Sequence, residues 1–172
     1  MSKLVRGIDS LNEWAGRIFY WLIIPMTFVT TYEVVSRYAF NHPTIWAWDI
    51  NTQLLGGYSL MLGGYALLHN SHVTVDILVA GLSQRKKAIL ESTLSLLFFC
   101  SFGILLWQMS EAAWDSLKIM ERSESLFSPP VYPVKILIAV GVLLLLLQGL
   151  SKFIKDFNII LHPSGDDVSH GN

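Results

Sequence analysis

The sequence predicts an all-α integral membrane protein with four transmembrane helices and both termini in the cytoplasm. Three observations carry that prediction. Apolar residues make up 52% of the 172-residue chain and charged ones only 15%, with a mean hydropathy of +0.47. The apolar residues gather into four runs, each long enough to cross roughly 30 Å of hydrocarbon at about 1.5 Å per helical residue. Lys and Arg crowd alternate flanks of these runs, and Trp and Tyr mark their ends.

The first span covers about residues 14–36, the second 48–68, the third 88–109 and the fourth 134–153. Each must be helical, because a spanning segment satisfies its own backbone hydrogen bonds and the alternation of a barrel strand is absent. Pro25 is expected to kink the first span rather than end it. Lys3 and Arg6 precede that span as in a secretory signal, but Thr31 to Tyr38 offers no small-x-small cleavage site, so an uncleaved helix is expected. Between the second and third spans, residues 75–87 mix Ile77, Leu78, Val79 and Leu82 with Asp76, Gln84 and a basic triplet. That stretch is too short to cross; it forms either a short interfacial amphipathic helix or an ordinary cytoplasmic loop. Beyond Met109 the third helix is expected to run on into water through Glu111, Trp114 and Lys118, until Pro129, Pro130 and Pro133 force an extended turn. Residues 1–161 read as one membrane domain, followed by a flexible polar tail, 162–172.

Eight Lys and Arg residues flank the predicted cytoplasmic ends: Lys3, Arg6, Arg17, Arg85, Lys86, Lys87, Lys152 and Lys155. Arg37, Lys118, Arg122 and Lys135 are left for the opposite side. That asymmetry sets the orientation. Trp14, Trp48, Trp107 and Trp114, with the triplet Arg85, Lys86 and Lys87, are candidate anchors in the lipid interface. A net charge of −1 with no basic face excludes a nucleic-acid partner.

Few side chains in the spans suggest chemistry. Glu33 and Arg37 are four apart near the outer end of the first span, suited to an intrahelical ion pair or, for Arg37, to docking a partner. Asp49 and Gln53 open the second span beside Trp46, where an acid caps the helix N-terminus or bonds another subunit. Gly56, Gly57, Gly63 and Gly64 share one helix face and let another helix approach closely, whether from this chain or a partner. His72 and Asp76 lack the further ligands a metal site needs and read as a structural corner. No carboxylate, Lys or His lies mid-span, so neither a midplane transport site nor paired haem ligands are expected. No catalytic residue, cofactor, metal or substrate site is expected in this chain.

The run Arg37-Tyr38-Ala39-Phe40-Asn41, then Pro43, Trp46, Asp49 and His72-Val73-x-Val75-Asp76, resembles the small membrane subunit (Q, DctQ type) of tripartite ATP-independent periplasmic (TRAP) transporters. Asp49 stands where the family more often has glutamate. The resemblance implies a four-helix subunit of the bacterial inner membrane, without enzymatic activity. It would be bound to a large M subunit that carries the sodium and substrate sites and moves as an elevator, with a soluble periplasmic substrate-binding protein delivering small organic anions. Such a subunit scaffolds M, anchors it among membrane phospholipids and helps dock the binding protein. The competing reading is a self-sufficient homodimeric four-helix exporter, for which Glu33 is the one candidate proton-exchanging acid.

Overall fold

A computed structural model of the chain describes residues 3–69 and 84–161. They form five helices, α1 Lys3–Tyr20, α2 Ile23–Ala39, α3 Ala47–Leu68, α4 Gln84–Lys118 and α5 Tyr132–Leu161. Among the described residues the only extended pairing is an isolated bridge between Arg122 and Pro130. Residues 70–83 and the tail 162–172, with His72, Asp76 and most of the expected interfacial segment, lie outside the described residues. The basic triplet at 85–87 belongs to the first turn of α4 rather than to a separate element.

The first span differs from expectation. Instead of one kinked helix, α1 and α2 are separated by the turn residues Trp21 and Leu22. Pro25 explains the break, since its ring would strike the Trp21 carbonyl and it has no N–H to continue the ladder. The freed groups are satisfied locally. Trp21 N–H bonds Ile18 O at 3.3 Å, Leu22 N–H bonds Phe19 O at 3.0 Å and Ile24 N–H bonds Trp21 O at 3.2 Å. Pro25 thus sits in the first turn of α2, where a missing N–H is tolerated.

Three described helical stretches are long and apolar enough to cross a membrane: Val5–Tyr38, Leu94–Lys118 and Tyr132–Lys155. The 22 residues of α3 would reach about 33 Å. Its Asp49, Asn51, Gln53 and paired glycines lower its hydropathy. It packs most extensively on α5, and also on α1 and α2, while α4 packs on the far side of α5.

The α3–α5 seam is where small residues matter. A Cβ on Gly141 would lie 2.8 Å from the Leu60 carbonyl carbon and 3.0 Å from its oxygen, so only glycine permits this backbone approach. The glycines of α3 face partners in the same chain: Gly56 meets Val134 and Ile138, Gly57 meets Leu137, and Gly63 meets Leu145, all at ordinary contact distances. Gly64 is tighter, with Asn12 Oδ1 2.0 Å from where its Cβ would be. Ala15, Met61 and Leu144 form the buried centre, with Phe19 and Leu137 against it. In lipid, such van der Waals fit is what holds helices together, since removal from water no longer drives them.

Two glycines give opposite expectations. Gly141→Ala forces α3 and α5 apart and is expected to lower stability by about 1–3 kcal/mol. Gly103, on α4, would meet nothing within 4 Å, so Gly103→Ala should be neutral or gain up to about 1 kcal/mol from helix propensity. Thermal unfolding of the two variants in detergent separates them; equal destabilisation would contradict this packing.

Candidate functional site

Polar side chains gather at the two ends of the bundle. The end bearing the 40–46 and 119–131 connections is called the loop end here, and that bearing Lys3 and Leu161 the terminal end. Leaving a polar group unpaired away from water costs several kcal/mol. Most of these side chains are paired, while Asn12 Oδ1, Asn51 Oδ1, Ser116 Oγ and Gln148 Oε1 are buried without a hydrogen-bond partner among the described residues.

At the loop end, Glu33 does more than pair with Arg37. Arg37 Nε donates to Glu33 Oε1 at 2.9 Å, and its Nη2 reaches the same oxygen. Glu33 Oε2 accepts the Thr44 backbone N–H at 3.0 Å and also the Thr44 hydroxyl. Between them Asn41 adopts a left-handed conformation, φ 51°, which stops α2. The chain then turns so that His42 N–H bonds Ser36 O at 2.9 Å and Ser36 Oγ donates to His42 O at 2.5 Å. Trp46 completes the corner by stacking on Tyr32, with ring centroids 5.9 Å apart. Arg37 remains about half exposed.

Asp49 does not cap α3. The N-cap position is Trp46, which makes no side-chain capping bond. Asp49 lies in the first helical turn, where the dipole still favours its charge, and its Oδ2 accepts a hydrogen bond from Ser125. Gln53 Nε2 donates to Pro130 O at 3.2 Å. These two residues therefore pin the 119–131 connection onto α3. That connection is tied internally by Ser123 N–H to Pro129 O and Val131 N–H to Glu121 O, both 2.9 Å. The Lys135 ammonium bonds Glu121 and holds its carboxyl below the ordinary value of 4.5. Asn51 Nδ2 donates to Thr30 Oγ1 at 2.6 Å, linking α3 to α2.

At the terminal end, Asp9 of α1 gathers three donors from one stripe of α5: Gln148 at 2.9 Å, Ser151 at 2.8 Å and Lys155 at 2.6 Å. Glu13 takes Arg17 at 3.0 Å within α1 and His69, just past the end of α3, at 2.9 Å. Asn12, fully buried, lies against Gly64. Of this cluster only the basic residues Arg17 and Lys155 were singled out by the sequence. A signal was there, because Gln148 directly follows five leucines and shares helical spacing with Ser151 and Lys155. Its acidic partner, 146 residues away from Lys155, was not legible.

Between the ends the surface is apolar. A groove of about 150 Å³ is lined by Leu22, Ile50, Leu54, Gly57, Val134 and Leu137, with Gln53 at its edge. Another, between α4 and α5, is lined by Ala113, Trp114, Ile136, Ala139 and their neighbours. Neither carries a cation to hold an organic anion. The four anchor tryptophans are exposed: Trp14, Trp48, Trp107 and Trp114. No group of three or more His, Cys, Asp or Glu suited to a metal occurs among the described residues.

Two changes test this wiring. Because Glu121 is held below 4.5, its bond to Lys135 stabilises the fold above that pH and is lost as pH falls through the lowered value. Wild-type thermal stability should therefore drop more steeply below about pH 4.5 than that of Glu121→Gln; parallel curves would contradict it. Asp9→Ala leaves three α5 donors without an acceptor and should destabilise the bundle by about 1–3 kcal/mol, read as a lower unfolding midpoint in detergent.

Residues 26–158 match a family model described as "Tripartite ATP-independent periplasmic transporters, DctQ component". A search of curated proteins finds no match.

Proposed function

Because the chain belongs to the DctQ family of tripartite ATP-independent periplasmic transporters, we propose that it works as the scaffold of its transporter and leaves solute movement to the large M subunit. In this reading it is the small permease subunit of a sodium-coupled importer of small organic anions, carboxylates or sulfonates, in the bacterial inner membrane. α3 crosses as a fourth span, both termini are cytoplasmic, and the loop end faces the periplasm. There the half-exposed Arg37 and the 119–131 connection are available to M or to the substrate-binding protein.

One observation supports this most directly. The acids along the first three helices are committed to intrachain donors: Asp9 to α5, Glu13 to Arg17 and His69, Glu33 to Arg37 and Thr44, and Asp49 to Ser125. A carrier that works alone must release and rebind a cation or proton at an embedded acid. Glu33, the acid the exporter reading depends on, is held by two partners instead. The apolar grooves and the exposed aliphatic surface suit lipid and a partner's helices better than a charged solute.

The test is reconstitution. M with the binding protein and sodium should take up substrate into proteoliposomes only when this chain is present, and vesicles holding this chain alone should take up none. Undiminished uptake by M without it would sink the proposal.

A further inference from the structure

We propose that α1 is an interfacial helix that binds the acidic phospholipid surface. It extends the transporter reading without depending on it. Charge on α1 is distributed unevenly, with Glu13 bridging Arg17 of its own helix and His69. Its two acids, Asp9 and Glu13, turn toward α5 and α3, where Lys155 and His69 take them up. Its three bases, Lys3, Arg6 and Arg17, are exposed. Lys3 and Arg6 have no hydrogen bond or ion pair among the described residues.

At 100° per residue, Lys3, Arg6 and Arg17 fall on one sector of the helix, and Leu11, Trp14 and Ile18 on the adjacent one. Those three apolar side chains are 45%, 63% and 46% exposed. The opposite face, with Ile8, Asn12, Ala15 and Phe19, packs on the bundle. An exposed apolar stripe bordered by the exposed cations Lys3 and Arg6, with Arg17 beside them paired to Glu13, matches the boundary between acyl chains and anionic headgroups. Length agrees as well. The 34 residues of Val5–Tyr38 would reach about 51 Å, well beyond ~30 Å of hydrocarbon, and the excess is α1, with five charges in 18 residues. Trp21 and Leu22 separate α1 from α2.

The full chain in detergent is titrated with phosphatidylglycerol or phosphatidylcholine while thermal unfolding is followed. Phosphatidylglycerol should saturate the stabilisation at clearly lower concentration. With about fivefold per surface cation, Lys3→Gln with Arg6→Gln should raise that concentration roughly 30-fold and leave phosphatidylcholine unaffected. Equal response to the two lipids, or no change in the double variant, overturns the proposal. Should the double variant fail to fold, nitroxides at Leu11→Cys and Ser10→Cys, in a Cys100→Ser chain in nanodiscs, decide it. Oxygen contact exceeding that of a water-soluble nickel chelate at position 11, with the reverse at position 10, supports it; aqueous contact at both positions refutes it.

Discussion

A polar group inside a bilayer has no water to turn to, and this constraint arranges the whole molecule. The helix α3 carries Asp49, Asn51 and Gln53 and packs against α1, α2 and α5. Its acid and amide side chains reach across to the 119–131 connection and to α2. At the other end, Asp9 is surrounded by donors from α5. The same rule acts on the backbone at Pro25, where three-residue hydrogen bonds take over from the four-residue ladder.

Between these two polar fastenings, geometry replaces polarity. Gly141 brings the backbones of α3 and α5 into contact, and Val134, Leu137, Ile138 and Leu145 of α5 lie against Gly56, Gly57 and Gly63 of α3. Fastened at both ends and close-packed between, such a bundle has little freedom to rearrange. That fits a subunit against which another moves, and it gives physical content to the word scaffold.

Much of this was legible in the sequence, and the rest failed for identifiable reasons. Among the described residues hydropathy located the three stretches long and apolar enough to cross a membrane, because lipid selects composition directly. It blurred the first span, since an apolar average over residues 14–36 hides the charges before it and says nothing of which carbonyl Pro25 displaces. The four glycines declared a face by their spacing, yet spacing cannot say whose helix approaches; the structure answers with α5 and α1 of the same chain. Glu33 with Arg37 was readable because both lie on one helix turn. Thr44, Ser125 and Asp9 were not, because their partners are distant in sequence and only the fold brings them together.

On the proposed function, this bundle stays rigid while the large subunit moves. Pulsed electron paramagnetic resonance between labels at the loop ends of α3 and α5, in the assembled transporter, tests it most directly. A single narrow distance, unchanged by sodium, substrate and binding protein, is the predicted result. A second distance appearing, or a shift of several ångströms during transport, would contradict it.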